Sequence, residues 1–291
     1  MSKKFGDRSY AKRVRGLGGL NQLNIDLKPH RSVSDVYINR KMDVTELCKY
    51  MEKKKKAGED LTYFHAFATA IGKVIWNRPK MNYFVQNRHL WEHNDIVVSF
   101  VAKVDFSDKS EEMMVMLPVE KNDTIYTISD KIAKKVDSFR NHKVNKEGAN
   151  SAIDIIGKLP NIIRVPFVGL FKWVDKMGKL PKGFAKDNLY YSSVIVSNLG
   201  SIKCGAIFHN INDFGNCSSL ITMGEIHDEE VIIDGKKEIR KLCEWGMNFD
   251  ERIADGYYFA KSAQMLQFVL NHPEMLEETA STKIEMGELR K

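Results

Sequence analysis

Groups able to do chemistry are concentrated after one apolar run. Leu242 to Phe249 leads into Asp250-Glu251-Arg252-Ile253-Ala254-Asp255-Gly256, which places three carboxylates and an arginine within seven residues. A carboxylate so placed can act as a general base, hold an arginine or cap a helix. Cys243, Trp245, Met247 and Phe249 alternate with Glu244, Gly246 and Asn248, the period of a strand. If that strand continues, Glu251 shares the apolar face with Phe249, and a carboxylate there is desolvated, with its pKa expected to rise. Asp250 and Asp255 can instead cap the following helix, with Arg252 paired to one of them, a reading that leaves Glu251 unexplained.

Other reactive side chains give weaker patterns. Cys48, Cys204, Cys217 and Cys243 show no Cys-x-x-Cys spacing and no histidine at zinc-finger distance. They read as reduced thiols of a cytoplasmic protein, and no metal is expected. His65 lies beside an apolar helical stripe and reads as a partly buried core histidine. His209 reads as a surface or structural residue.

The elements that must carry this corner can be read from periodicity. Val36, Ile38 and Met42 suggest a first strand, and Asp43-Val44-Thr45-Glu46 a capping-box-like helix start. That helix runs through Leu47 and Met51 into Lys53–Lys56 and ends at Gly58. Phe64, Phe67, Ala68, Ile71, Val74 and Ile75 predict a second helix from Thr62 to Trp76, ended by Pro79. Ile96 to Val104 reads as a central strand, paired as a hairpin with Met113 to Val119. Ile125, Ile128, Ile132, Val136 and Phe139 mark a third helix, capped by Asp123 or Thr124. Ser193–Asn198 and Ser219–Ile226 read as strands, followed by an acidic loop, Val231–Ile233 and a turn at Asp234-Gly235. Phe259, Ala263, Leu266 and Leu270 give a last helix before Pro273. Irregular alternation of helices and strands predicts an α/β fold, a mixed β-sheet with helices packed on one side.

Several stretches, in order, resemble the catalytic domain of the 2-oxo acid dehydrogenase dihydrolipoyl acyltransferases, a family related to chloramphenicol acetyltransferase. Asp250 to Gly256 resembles that family's Asp-His-Arg-x-x-Asp-Gly signature, with Glu251 in place of the histidine. Ile195 to Gly200 is similar to its Ile-Ser-Asn-Leu-Gly strand and turn, and Met42 to Leu47 to the start of its first helix. Asn212, Met223-Gly224 and Asn271 to Glu274 fall near family positions. The resemblance spans roughly residues 25–278 and implies a chloramphenicol acetyltransferase-like fold. It implies a homotrimer with active sites at subunit interfaces, where coenzyme A and an acceptor such as dihydrolipoamide enter a channel from opposite ends. By position, Ser197 supports the oxyanion, Glu251 stands where the base stands, and Asp255 holds the corner through an arginine, either Arg31 or Arg40. The expected activity is acyl transfer between coenzyme A and a small thiol or hydroxyl acceptor. The alternative is a catalytically degenerate protein of this fold, acting as a binding or scaffold trimer.

The expected organisation is a basic N-terminal arm, 1–24, ahead of an acyltransferase-like domain, 25–291, with a variable helical insertion over 141–190. The arm is too short for the lipoyl and peripheral-subunit-binding modules of the family's multienzyme proteins. The expectation is therefore a free-standing domain with no covalently attached lipoyl group. Residues 151–180, rich in Ile, Val, Phe and Gly and split by Pro160 and Pro166, are expected to pack over the core and not to meet a membrane or a partner. A composition 43% hydrophobic and 29% charged excludes a disordered chain. No apolar run is long enough to span a bilayer, and the N-terminus lacks the apolar core of a secretory signal. The net charge of +7 is spread along the chain without aromatic-basic interleaving, so no nucleic-acid partner is expected.

Overall fold

In a computed structural model, residues 6–103, 112–141, 157–180 and 188–287 are described. The strands among them form two sheets. The larger contains β2 (Asp35–Asp43), β5 (Val97–Lys103), β6 (Glu112–Pro118), β7 (Val194–Asn198), β8 (Ser219–Ile233) and β9 (Lys236–Asp250), in the order β2-β9-β8-β7-β5-β6. β7 runs parallel to both neighbours and the other pairings are antiparallel, so the sheet is mixed as expected.

Helices cover one face of this sheet. Val98, Phe100, Val196, Ile221, Trp245, Met247 and Phe249 point into a core shared with α2 (Thr45–Lys56), α3 (Tyr63–Asn77), α4 (Ile125–Asn141) and a C-terminal helix, Gly256–Asn271. Each strand contributes every second residue to that core, the consequence of its two-residue period. Phe67 of α3 meets Trp245 edge to face, with centroids 5.1 Å apart. Thr62 caps α3, and the capping partner is His65: its Nδ1 lies 3.3 Å from Thr62 N, while its own N–H donates to Thr62 Oγ1. The histidine expected in the core is therefore a helix-start residue, half-buried.

The smaller sheet is not visible in the sequence pattern. β1 (Ala11–Arg13), β4 (His89–His93) and β3 (Tyr83–Gln86) lie in that order, all antiparallel. β3 and β4 are joined by Asn87-Arg88, both at positive φ, a two-residue turn normally supplied by Asn-Gly. The stretch read as an irregular arm thus contributes a strand, with Ala11 fully buried, and α1 (Gly19–Leu27) follows it.

β8 and β9 also run further than expected. The acidic stretch after Ile226 is strand, not loop, and pairs with Lys236–Cys243 through the predicted Asp234-Gly235 turn. Over the other face of the main sheet lies the loop after β7. At Gly246 a Cβ would sit 2.4 Å from the Ile207 carbonyl oxygen, so glycine is required for that loop to cross β9. Helix α5 (Asn161–Lys176) packs as expected on one side only, through Phe171 and Asp175, and leaves the other side exposed. Ile162 is 83% exposed and Trp173 57%. The remainder of the expected insertion, and the ends of the chain, lie largely outside the described residues.

Candidate active site

β9 ends at Asp250, one residue before the position where strand parity would turn Glu251 into the core. Glu251 N donates to Ser34 O at 2.8 Å and the chain then turns. The buried carboxylate is Asp250, 0% exposed. Arg252 grips it with Nε on Oδ1 at 2.8 Å and Nη2 on Oδ2 at 2.7 Å. This two-point geometry matches guanidinium to carboxylate and is among the stronger charge-assisted contacts. Arg31 approaches the same carboxylate from the other side, Nε to Oδ2 at 3.9 Å.

Arg31 is the staple of the site. Only 3% exposed, it donates to the carbonyls of Asn212 and Asp213 through Nη1, and of Val85 and Gly215 through Nη2. Its backbone N–H donates to Asp213 Oδ1 at 2.7 Å, while Asp213 Oδ2 lies 3.0 Å from His30 Nδ1. Burial lowers the guanidinium pKa, and Asp250 opposes that shift. One side chain therefore ties the start of β2, the end of β3 and the loop 212–215 to the corner.

Glu251 lies at the rim of this cluster. Its side chain is 39% exposed and Lys28 Nζ donates to its Oε2. The expected burial of Glu251 among apolar groups is thus corrected: Asp250 goes inward and Glu251 faces water and an ammonium. Lys28 is itself held, because Arg252 Nη1 donates to the Lys28 carbonyl at 2.8 Å. Lys28, Arg31 and Arg252 formally balance Asp213, Asp250 and Glu251, which permits so much charge to be gathered without a large uncompensated desolvation cost. Beside the cluster a recess is lined by Pro29, His30, Arg31, Gln86, Arg88 and Arg252.

Asp255 caps the last helix, α6 (Gly256–Asn271), accepting from Tyr258 N at 2.8 Å. The arginine-holding role expected of Asp255 is filled by Asp250. Of the two candidate arginines, Arg31 is the one in the corner, whereas Arg40 is exposed on β2. His209 is exposed, and its carbonyl accepts from Asn248 Nδ2 at 2.7 Å.

Ser197 is half-buried on β7, on the face away from the helices. It is in register with Thr222, which is in register with Gly246, five residues before Glu251. At about 3.3 Å per residue and about 4.8 Å between strands, roughly 20 Å separates Ser197 from Glu251 within one chain. The fold does not bring these two residues together by itself.

Lys28, His30 and Asp213 had no signal in the sequence. Lys28 and Glu251 are 223 positions apart and His30 and Asp213 are 183 apart, and neither pair falls in a motif or a periodic element.

The family model described as 2-oxoacid dehydrogenases acyltransferase (catalytic domain) matches residues 182–277, which include Ser197, Glu251 and Asp255. No curated protein sequence matches the chain. The fold is similar to that of a dihydrolipoamide acetyltransferase from Azotobacter vinelandii, at 16% identity over 94% of this chain and 95% of that one, with a TM-score of 0.59. It is similar to a probable dihydrolipoamide acetyltransferase from Listeria monocytogenes, at 18% identity over 90% and 95%, with a TM-score of 0.55. A chloramphenicol acetyltransferase aligns at 11% identity over 89% and 99%, with a TM-score of 0.53. The chain has the chloramphenicol acetyltransferase-like fold, and its segment 182–277 matches the model of the 2-oxoacid dehydrogenases acyltransferase catalytic domain.

Proposed function

We propose that the protein is a coenzyme A-dependent acyltransferase that works as a homotrimer, moving an acyl group between coenzyme A and a small thiol or hydroxyl acceptor such as dihydrolipoamide. The observation that carries this reading is the buried Asp250–Arg252–Arg31 cluster, which holds the signature segment in a fixed turn and leaves Glu251 at its open rim. The distance of Ser197 from Glu251 within one chain supports the trimer, because a complete site then needs Ser197 from a second copy. Asp255 keeps a positioning role, fixing the turn by capping α6.

With Lys28 on Oε2, Oε1 of Glu251 is the oxygen left to take a proton. It removes the acceptor's thiol proton as the sulfur attacks the thioester carbonyl. The Ser197 hydroxyl donates to the oxyanion of the tetrahedral intermediate. Collapse breaks the bond to the coenzyme A sulfur, and the protonated Glu251 returns its proton to that thiolate. A thiol pKa of about 8.5 exceeds that of an ordinary carboxyl at about 4.3, so Glu251 is a weaker base than histidine and turnover is expected to be slow. Acetyl transfer from acetyl-CoA to dihydrolipoamide by purified protein tests this. Glu251→Gln is expected to lower the rate about 100-fold or more, and Ser197→Ala by a similar factor. Wild type and Glu251→Ala equally inactive across a broad acyl-CoA panel would overturn the reading.

One observation favours the second reading, a binding or scaffold trimer without chemistry: Lys28 donates to Glu251 Oε2, so one of the two carboxylate oxygens is already taken up by an ion pair within the chain. Coenzyme A binding without turnover, unaffected by Glu251→Gln, would decide for it.

A further inference from the structure

Helix α5 presents two opposite faces. At 100° per residue, Phe171 and Asp175 fall on one side, while Ile162, Ile163, Leu170, Trp173 and Met177 fall on the other. The first side is fastened to the domain. Asp175 is buried and accepts from the Tyr191 hydroxyl and from Gly215 N, the latter at 3.0 Å. Phe171 stacks on Phe214 with centroids 5.6 Å apart, and Arg8 Nη2 donates to the Lys176 carbonyl at 2.8 Å. The second side is in solvent, with Ile162 83%, Leu170 59% and Trp173 57% exposed. A helix fixed by one buried carboxylate and one ring, with most of its large apolar residues outward, is the reverse of a core helix.

Charge indicates what covers it. Over 157–180 the chain carries Lys158, Arg164, Lys172, Lys176 and Lys179, all of them exposed except Arg164, which is half-buried. The lone acid there, Asp175, is committed inward. Lys172 and Lys176 line one margin of the apolar face. Apolar and aromatic residues along one strip with lysines at its edge fit the boundary between acyl chains and anionic headgroups. A second copy of the chain fits less well. The helix offers a strip about 24 Å long and about 10 Å wide, whereas a stable protein interface covers about 800 Å² on each partner. None of the helices of the described residues is long and apolar enough to cross a membrane, so the contact would be in the plane of the surface.

We propose that α5 is an interfacial helix that seats the protein on an anionic lipid bilayer through Ile162, Ile163, Leu170 and Trp173, with Lys172 and Lys176 at the headgroups. Trp173 is the most open of the four tryptophans, since Trp91 and Trp245 are buried and Trp76 is half-buried, and so reports on the contact.

The test is co-sedimentation of the full chain with vesicles of phosphatidylcholine alone, or mixed with phosphatidylglycerol. The expected result is pelleting with the anionic vesicles, reduced by salt, with a blue shift of tryptophan emission. The double variant Ile162→Glu with Leu170→Glu is expected to lower pelleting ~10-fold or more. Lys172→Glu with Lys176→Glu should remove the preference for anionic vesicles. Trp173→Phe should still pellet but lose the blue shift, which guards against a Glu variant that has misfolded. The proposal is overturned if wild type stays in the supernatant with anionic vesicles, or if the Ile162/Leu170 variant pellets like wild type. A blue shift that survives Trp173→Phe also overturns it. Self-association in sedimentation velocity that Leu170→Glu dissolves, without vesicle binding, would assign the face to a second copy instead.

Discussion

At the end of β9, charged side chains are buried against one another; along α5, uncharged ones face solvent. The corner holds Asp250, Arg252 and Arg31 almost wholly out of water, and every oxygen of Asp250 meets a guanidinium nitrogen. The helix holds seven large apolar side chains exposed to water and sends one carboxylate, Asp175, inward. Hydropathy assigns the wrong surroundings to both regions. In each, a buried carboxylate with fixed partners anchors the segment: Asp250 on the Arg252 guanidinium, Asp175 on the Tyr191 hydroxyl and Gly215 N.

The contrast is open to direct attack. The largest effect is expected from Asp250→Asn, which leaves two buried guanidiniums without their counter-charge and should cost about 3–5 kcal/mol in denaturant unfolding. A loss below about 1 kcal/mol would mean that the cluster is far wetter than its exposure indicates. Next comes Asp175→Ala, which removes the acceptor of a Tyr191 hydroxyl bond and orphans the buried Gly215 N–H, at about 1–3 kcal/mol. It should also raise proteolysis within 157–180 while leaving the corner's hydrogen exchange nearly unchanged.

Acid supplies a third probe. Burial, opposed by a backbone hydrogen bond at Asn216 and helped by the Arg31 charge, pushes the His93 imidazole down to about 3. A depressed folded pKa means stability that is full above the unfolded value of about 6.5 and is lost as pH falls toward the folded value. The loss at pH 5 should be about 2 kcal/mol relative to pH 8, and His93→Phe should reduce that difference. The smallest effect is expected from Trp173→Ser, within about 0.5 kcal/mol of wild type, as for exposed residues without fixed partners. A larger loss would show that the apolar side of α5 is covered in solution.

What was legible in the sequence follows the same division. The β2, β5, β6, β7 and β9 strands and the helices α2, α3, α4 and α6 were readable because one face of each is buried, and burial imposes a period. The β8 and β9 extension past Ile226 packs on no core, so its acidic residues looked like a loop. β3 and β4 were missed because Asn87-Arg88 makes a turn that usually needs glycine. The identity of the corner was visible in the order of its residues, but its orientation was not. Parity carried Glu251 inward because the sequence does not mark where the ladder ends. Partners such as Lys28 and Arg31 are brought to the corner by the whole fold.

The contact between Lys28 and Glu251 also bears on how this corner can change over generations. Lys28 is anchored through its carbonyl by Arg252, and its ammonium reaches the rim beside position 251. A histidine introduced there alone would face a cation, and its protonated form would be disfavoured. Histidine at 251 therefore works best together with a neutral residue at 28, and glutamate with a lysine. The two positions, 223 residues apart, are therefore expected to be energetically coupled, and a double-mutant cycle on 28 and 251 would measure that coupling.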